Sequence, residues 1–441
     1  MKEKKGKFIG LLPLLVFVAI YLGSGIILND FYAVSVLVPG VVASLVAIFM
    51  NRKRSLEENL NLFCKGAGNS SIILMCFIFI LAGSFAKVAE KMGAVESTVN
   101  LGLTILPSSV LVAGIFIISA FIAISLGTSM GTIAAIVPIG IGLSEKAGIS
   151  LALVVGAVVG GAMFGDNLSM ISDTTIAATK TQGCEMNDKF KTNFRVVLPA
   201  AIIAVVLYII FGRGANVSTG TYDYNLIKVV PYFAIFIAAL LGKNVILILS
   251  GGIGLAGIVG FATNSLDLRG FTDSITAGVS GMSELIVISL LIGGIVELVK
   301  ANGGVDFILE SVTSRIKTKK GAEFGIGALV SLVDVATANN TIAIVTTGPI
   351  AKNISDKYEL EPSRVAGILD MFSCTFQGVI PYGAQLLTAA SLAGLAPFEI
   401  MKYLFYPYLM GISALIFIGV YKYKKETKNI KVEENNEIEL V

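Results

Sequence analysis

Two carboxylates seven residues apart, Asp166 and Asp173, interrupt a long apolar stretch of the sequence. Hydroxyl and amide side chains surround both in the run from 160 to 178, which reads GGAMFGDNLSMISDTTIAA. If this stretch crosses a bilayer, each buried charge costs at least about 2.5–3.5 kcal/mol, so packing alone does not explain the pair. Carboxylate, hydroxyl and freed carbonyl oxygens suit a hard cation such as Na⁺. A carboxylate that exchanges Na⁺ for H⁺ needs burial or a like-charged neighbour that favours its protonated form.

The segment predicts a cation site with Na⁺ at Asp166 and its neighbours. The candidate residues for ion binding and proton coupling are Asp166, Asn167, Ser169, Ser172, Asp173 and Thr174. On a continuous helix the two aspartates would share a face about 10 Å apart, and unwinding near Gly165 would bring them closer. For Asp173 the competing interpretation is a helix start, in which its side chain caps a helix beginning at Thr174.

Two further apolar stretches, 107–143 and 323–352, are interrupted by polar residues in the middle. The interruptions read SLGTSMGT at 125–132 and DVATANNT at 334–341. Unwound backbone is tolerated at membrane depth only where it is buried or lines a cavity, so we interpret both stretches as re-entrant hairpins. The alternative is an ordinary loop outside the membrane. The candidate substrate or hairpin-tip residues are Thr128, Ser129, Thr132, Asp334, Thr337, Asn339, Asn340, Thr341 and Gln377.

The composition of the whole chain is that of a polytopic membrane protein. Of the 441 residues, 55% are hydrophobic and only 14% are charged, and the mean hydropathy is +0.84. Soluble domains carry about 25% charged residues. The net charge of +3 gives no support to nucleic-acid binding, and a lipid bilayer is the expected partner. Because the sequence contains no histidine, proton chemistry falls to carboxylates or, failing them, to Lys or Tyr.

The basic residues predict how the chain is oriented. They cluster at Lys2–Lys7, Arg52–Arg54, Lys180–Arg195, Arg315–Lys320 and Lys422–Lys428. Cytoplasmic loops are enriched in Lys and Arg. If both hairpins enter and leave on one side, ten crossings are left and every cluster falls inside. The sequence therefore predicts a multi-pass protein of a prokaryotic inner membrane with both termini in the cytoplasm.

The two halves of the chain resemble each other at a nearly constant offset. Residues 127–138 align with 338–349, so that Pro138 matches Pro349 at 349 − 138 = 211 residues. The same offset places Gln377 opposite Asp166 and Ala384 opposite Asp173. We therefore predict a first repeat at 1–212, a linker at 213–225, a second repeat at 226–421 and a cytoplasmic tail at 422–441. With about five crossings and one hairpin (107–143 or 323–352) in each repeat, the second repeat is inverted relative to the first.

These observations predict an all-α polytopic membrane protein with two inverted-topology repeats, each containing a re-entrant hairpin and a broken transmembrane helix. The second break has lost the charge of the first, so the ion site is expected mainly in the first half. Polar groups of the second break could instead hold an organic substrate, namely Ser373, Thr375, Gln377 and Gln385. Asp370 lies in the middle of a span and either pairs with a buried Lys, accepts hydrogen bonds as a structural contact, or has a function.

The run GDNLSMISDTT at 165–175 resembles the signature of the NhaC-type Na⁺/H⁺ antiporter family, Gly-Asp-x-x-Ser-x-x-Ser-(Asp/Glu)-Thr-Thr after a Gly-rich helix. The resemblance implies the architecture of the ion transporter superfamily, with inverted repeats, paired hairpins and broken helices. Asn167 departs from it, since the family's antiporters have Lys at that place. Relatives of this type include carriers for amino acids and for malate/lactate exchange. The ion-site candidates that carry over are Asp166, Ser169, Ser172, Asp173 and Thr174.

The leading hypothesis is a secondary active transporter that exchanges Na⁺ for H⁺ by alternating access. The alternative is Na⁺- or H⁺-coupled transport of a small amino acid or carboxylate. A channel is disfavoured by the unequal repeats, and an enzyme by the lack of any metal-ligand cluster or nucleophile–base pair in the sequence. No cofactor is expected beyond Na⁺ and H⁺ as transported or coupling ions. Carriers of this architecture are often dimers, which makes a homodimer an expectation by analogy.

Overall fold

Apolar runs of this length fold as helices, because in a bilayer every backbone N–H and C=O must be bonded within the chain. The computed structural model describes residues 6–28, 34–105, 107, 110–170, 172–214, 223–241 and 243–420. The predicted cytoplasmic tail 422–441, most of the predicted linker 213–225, and Lys2, Lys4 and Lys5 lie outside the described residues.

The first half contains ten α-helices among the described residues. They are α1 (Leu12–Ile27), α2 (Leu37–Phe49), α3 (Leu56–Ala67), α4 (Ser70–Lys91), α5 (Ala94–Ile105), α6 (Leu111–Leu126), α7 (Ser129–Ala147), α8 (Leu151–Leu168), α9 (Asp173–Gln182) and α10 (Met186–Phe211). The second half continues with α11 (Leu226–Leu240), α12 (Val245–Ala262), α13 (Leu268–Gly281), α14 (Ser283–Ala301), α15 (Gly304–Thr313), α16 (Lys319–Thr337), α17 (Asn340–Lys357), α18 (Pro362–Val379), α19 (Ala384–Ala393), α20 (Pro397–Met401) and α21 (Phe405–Val420).

Seven helical stretches of the described chain are long and apolar enough to cross a membrane, judged by length and composition. They are Phe8–Gly25, Ile72–Lys91, Ser129–Ala147, Leu151–Gln182, Met186–Phe211, Val245–Ala262 and Leu268–Ala301. Four shorter apolar helices accompany them, at Leu37–Phe49, Leu111–Ile124, Leu226–Ile235 and Phe405–Val420. No strand occurs in the described part of the chain. The prediction of an all-α, multi-pass membrane protein is therefore confirmed.

The helix boundaries of the two halves repeat at the offset read from the sequence. The pair α8 and α18 begins and ends 211 residues apart (362 − 151 and 379 − 168), and so does the pair α9 and α19 (384 − 173 and 393 − 182). Left-handed backbone recurs at the same offset, at Gly183 and Gly394 after these helices. The matched boundaries mean that both halves break their helices at equivalent places.

Contacts between the halves are reciprocal. Helix α4 packs on α13 while its counterpart α14 packs on α3, and α9 packs on α17 while α19 packs on α7. Each of these helix pairs therefore has an equivalent pair in which the helix of the first half and the helix of the second half have exchanged roles. How the halves are oriented relative to a membrane, and so whether the repeats are inverted, stays a prediction.

Four short helices were not anticipated from the sequence: α3, α5, α13 and α15. Two of them carry recognisable start signals. Ser55 and Glu58 form a capping box at the start of α3, and the Asp267 side chain accepts a hydrogen bond from the Gly270 N–H at 2.7 Å before α13. At 10 to 14 residues these helices are too short to register in a search for runs of about 20 apolar residues.

Candidate ion-binding site

The Asp166 carboxylate lies in the last turn of α8 and is only 5% exposed. Its Oδ2 accepts a hydrogen bond from the Ser129 hydroxyl at 2.7 Å, and its Oδ1 accepts one from the Ser172 hydroxyl at 2.6 Å. The Ser172 hydroxyl lies 2.9 Å from that of Thr174. These four residues place two carboxylate and three hydroxyl oxygens in one buried cluster, which we call the Asp166 site.

Two interruptions of helices bring these residues together. Helices α6 and α7 are separated by Gly127, at φ +67°, and by Thr128 in extended backbone, so Ser129 begins a new helix. Helix α8 ends at Leu168, and α9 begins after Ser172. The Ser169 hydroxyl donates to the Ile124 carbonyl at 2.6 Å. This bond links the interruption between α8 and α9 to the last turn of α6. Helix C-termini carry partial negative charge, which favours a cation beside the end of α8.

Glycines let α8 approach α6 closely enough for this arrangement. A Cβ atom at Gly161 would lie 2.2 Å from the Phe116 carbonyl oxygen, and one at Gly165 would lie 2.2 Å from that of Ala120. Both distances are too short for any side chain. The Gly-rich sequence before Asp166 therefore sets the close approach of α8, which carries the carboxylate, to α6, which leads into the turn before Ser129.

Other candidates from the first half lie apart from the Asp166 carboxylate. Asp173 is exposed and is the first residue of α9, one position after the N-cap Ser172, so it lies at a helix start without being the cap that was expected. Thr132 is buried and donates to the Thr128 carbonyl at 3.0 Å. Thr128 is partly buried and precedes α7 without a side-chain capping bond. The structure thus brings Asp166, Ser129, Ser172 and Thr174 together and leaves Asp173 outside.

The second hairpin places its candidates around the end of α16. Asp334 is fully buried, and neither carboxylate oxygen receives a hydrogen bond within the described part of the chain. The Thr337 hydroxyl donates to the Asn339 carbonyl at 3.3 Å, and the Asn339 side chain accepts from the Ile342 N–H at 2.9 Å. Asn340 is buried and its side-chain oxygen accepts from the Thr341 N–H at 3.0 Å, whereas the Thr341 side chain is partly buried.

A chain of amides links the two halves at this level. Gln377 donates to the Ala338 carbonyl at 3.2 Å and to the Gln385 side-chain oxygen at 2.6 Å. Gln385 in turn donates to the Ser129 hydroxyl at 3.2 Å. Gln377 therefore reaches the Asp166 site through Gln385, which the sequence offered as a possible substrate ligand and not as a neighbour of the ion site.

Asn167 belongs to a second buried polar cluster beside the Asp166 site. Its side-chain nitrogen donates to Asp370 Oδ2 at 3.0 Å, and so does that of Asn193. The Lys189 ammonium forms an ion pair with the same oxygen of Asp370, and the two side chains are 1% and 0% exposed. This is the pair with a buried Lys that was one interpretation of Asp370. Lys189 itself had been assigned to a cytoplasmic basic cluster.

A helical pattern in the sequence could have revealed that Lys189 is buried. On α10 the buried residues Lys189, Asn193, Val196, Val197 and Ala200 recur at intervals of three to four. Such spacing puts them on one face of a helix. Lys189 therefore continues the buried stripe of α10, although its neighbours Asp188 and Lys191 are exposed.

A small cavity of about 40 Å³ reaches the second hairpin tip. Thr337, Asn339 and Tyr382 line one side of it. Asn69, Ser289, Glu297 and Lys300 contribute polar groups on the other side, where Lys65 pairs with Glu297 at 2.7 Å. A space of this size has room for a few water molecules beside its polar groups. The cavity borders the second hairpin tip, and Asp166 is not among its lining residues.

The Asp166 site has the chemistry of a monovalent cation site. A hydroxyl can donate a proton or accept through its lone pairs, so Ser129, Ser172 and Thr174 can turn from donors to an empty carboxylate into ligands of a cation. The hydrogen bonds of the Asp166 carboxylate in the described structure come from these hydroxyls and not from Lys or Arg. Its charge is therefore available to a mobile ion.

Comparison with known proteins gives a consistent result. The model of the Na⁺/H⁺ antiporter family matches residues 6–213 and 224–422. The Na⁺/H⁺ antiporter NhaC of Alkalihalophilus pseudofirmus is 26% identical over 387 residues, covering 78% of this chain and 82% of that protein. The arginine/ornithine antiporter ArcD of Halobacterium salinarum is 24% identical over 407 residues, 82% of each protein. The malate-2H⁺/Na⁺-lactate antiporter of Bacillus subtilis is 20% identical over 451 residues, 95% of each.

The family match runs through both halves and includes every residue of the Asp166 site. It confirms the resemblance read from residues 165–175, and it agrees with a transporter rather than an enzyme. Together with the apolar helices, it identifies a multi-pass membrane protein. The chain belongs to the Na⁺/H⁺ antiporter family and is a secondary transporter of the antiporter type.

Proposed function

We propose that this protein exchanges Na⁺ for H⁺ across the membrane and that Asp166 binds the two ions alternately. The observation that supports this most directly is the buried carboxylate of Asp166 with one hydroxyl donor on each oxygen. A buried carboxylate without a fixed positive partner is unfavourable when charged, so it gains from binding either a proton or a cation. Since one carboxylate cannot satisfy both at once, the two ions compete.

The hydroxyls allow the site to serve both ions. With Na⁺ bound, Ser129, Ser172 and Thr174 present oxygen lone pairs to the ion. With H⁺ bound, the carboxylic acid is neutral and the same hydroxyls turn back to hydrogen-bond with it or with each other. Competition for one site couples the two fluxes, because the carrier crosses between its states loaded with Na⁺ or with H⁺.

Exchange also requires that Asp166 faces each side of the membrane in turn. Asp166 lies at the end of α8 and beside the tip of the α6–α7 hairpin. Broken helices of this kind surround the sites of alternating-access carriers. We extend the proposal to alternating access by movement of the two repeats, in a prokaryotic inner membrane with both termini in the cytoplasm.

The test is transport by purified protein in lipid vesicles that contain a pH-sensitive dye. Adding Na⁺ outside, without any organic substrate, is expected to move protons outward through the wild type. Asp166→Asn keeps the shape of the side chain and removes its charge, so proton movement is expected to vanish. Asp188→Asn is the matched control, since Asp188 is exposed on α10 and pairs with the exposed Lys191 at 3.6 Å. Wild-type proton movement in Asp166→Asn would contradict the proposal.

The second candidate function is Na⁺- or H⁺-coupled transport of a small amino acid or carboxylate. It is favoured by the amide groups of Gln377 and Gln385, which contact the Asp166 site through Ser129 and can hydrogen-bond an organic cargo. Two of the similar proteins are named as carriers of arginine and ornithine or of malate and lactate. The same vesicles distinguish the two functions. If Na⁺ alone moves no protons, but an amino acid or carboxylate drives Na⁺ or H⁺ flux, the second function holds.

A further inference from the structure

The ammonium group of Lys189 is held in a cage of oxygen atoms deep in the protein. It forms an ion pair with Asp370 and donates to the Asn167 carbonyl and to the Thr175 hydroxyl, each at 2.8 Å. An ammonium has three N–H groups, and here each has one oxygen acceptor. The lysine side chain is 1% exposed, so water does not compete for these contacts.

This cage resembles the Asp166 site in composition and lies beside it. One carboxylate, one backbone carbonyl and one hydroxyl surround the charge, and they come from α18, α8 and α9 in turn. Asn167 directly follows Asp166 in the chain, so the two sites share the last turn of α8. Carboxylate, carbonyl and hydroxyl oxygens are the ligands that Na⁺ sites in carriers use.

The architecture itself does not require the ion pair. At the offset of 211 residues, Lys189 corresponds to Ile400 and Asp370 corresponds to Val159. Both are fully buried, and their helices α20 and α8 also pack against each other. Buried ion pairs can often be replaced by apolar residues without loss of stability. The repeat thus fills the equivalent place with two aliphatic side chains, and the charges of Lys189 and Asp370 need another explanation.

We propose that the Lys189 ammonium is a tethered cation that permanently occupies a second cation site formed by Asp370, the Asn167 carbonyl and Thr175. The protein buries two carboxylates next to each other, Asp166 and Asp370, yet only the first is open to a mobile ion. Lys189 thereby limits the carrier to one mobile cation in this region. The inference rests on the proposed function only for the assignment of Asp166 as the mobile-ion site.

The experiment counts bound Na⁺ on the purified full-length protein in detergent, by equilibrium binding of radioactive ²²Na⁺. The wild type is expected to bind one Na⁺. Lys189→Met keeps the stem of the side chain but ends one atom short, so the place of the ammonium in the cage is vacant and two Na⁺ are expected. Lys189→Met combined with Asp370→Asn removes the cage's charge and is expected to return the count to one. Lys191→Met, on the exposed side of α10, is the control and is expected to bind one.

Combination with Asp166→Asn separates this inference from the proposed function. Asp166→Asn alone is expected to bind no Na⁺, whereas Asp166→Asn with Lys189→Met is expected to bind one, at Asp370. A Lys189→Met protein that still binds one Na⁺ would overturn the tethered-cation inference and leave the proposed function intact. Undiminished binding in Asp166→Asn would instead overturn the proposed function.

The test does not depend on the folding of a single variant. If Lys189→Met cannot be purified, Lys189→Ala, prepared throughout in Na⁺, offers the vacant cage more room for an ion and its water and is expected to bind two Na⁺. The wild-type count is an independent test, because two Na⁺ bound to the wild type would show that Lys189 does not keep the second site closed.

Discussion

The two interrupted helices of this protein have matching backbones and different chemistry. The break between α8 and α9 holds Asp166, whose carboxylate accepts from Ser129 and Ser172. The break between α18 and α19 holds Gln377 at the equivalent place, and its amide bonds to Gln385 and to the Ala338 carbonyl. The comparison teaches that the breaks are a common framework and that the charge is a specialisation of the first half. Three experiments can break or sharpen this comparison.

The largest effect is expected at the Lys189–Asp370 pair, whose repeat-related counterpart is the aliphatic pair Ile400 and Val159. Asp370→Asn leaves a buried ammonium without its carboxylate and is expected to lower the free energy of unfolding by about 3–5 kcal/mol. Adding Lys189→Met is expected to recover most of this loss, because no buried charge is then left unpaired. Chemical denaturation in mixed micelles measures both. A double variant as unstable as the single one would show that the two halves do not tolerate the same packing at this position.

An intermediate effect is expected from the residues that begin α7 and α17, Ser129 and Asn340. Ser129→Ala removes a hydroxyl oxygen that ligates the ion in the proposed Na⁺-bound state, and a polar contact to a charged group is worth about 1.5–3 kcal/mol. The apparent affinity for Na⁺ is therefore expected to fall roughly 10- to 100-fold. Asn340→Ala changes the equivalent residue of the uncharged half and is expected to alter Na⁺ affinity less than about threefold. Equal losses in the two variants, measured as the Na⁺ dependence of proton movement, would mean that both hairpins hold the ion.

The smallest effect is expected at the turns of the two hairpins. Gly127 and Ala338 occupy equivalent positions with φ of +67° and +48°. Left-handed backbone costs a residue with a Cβ about 1–2 kcal/mol and costs glycine almost nothing. Ala338→Gly is therefore expected to stabilise the protein by about 1 kcal/mol, and Gly127→Ala to destabilise it by a similar amount. The denaturation midpoints of the two variants should move in opposite directions, and a shift in the same direction would contradict the equivalence.

Much of this framework was predictable from the sequence, because polar residues within apolar runs carry a strong signal. The helix interruptions near Gly127 and Ala338 fall where the motifs indicated, whereas α8 stays helical through Gly165, where unwinding was considered, and ends at Leu168. The equivalence of Asp166 and Gln377 followed from the offset alone. Asp173 was the ambiguous residue. Its spacing from Asp166 suggested a pair of carboxylates, but the chain turns between the two helices and leaves Asp173 exposed at the start of α9.

What the sequence did not show depends on tertiary contacts. Lys189 lies in a run of basic residues that also marks a cytoplasmic loop, and only packing separates the buried lysine from its exposed neighbours. Its partner Asp370 is 181 residues away in the chain (370 − 189). No local pattern joins two residues at that distance, although the buried stripe on α10 would have raised the question. Gln385 was named from the sequence as a possible substrate ligand, but its bond to Ser129 was not foreseen, since that bond crosses from one half to the other.

The unbroken 211-residue offset between the helix boundaries limits how such a carrier can change over time. From Gly127 to Gly183 every helix end has a counterpart 210 or 211 residues later. An extra residue inside α8 would rotate all that follows by about 100°, which would carry Asp166 away from Ser129. In this architecture, substitution of side chains can therefore change the cargo specificity, whereas an insertion or deletion within these helices would disrupt the site.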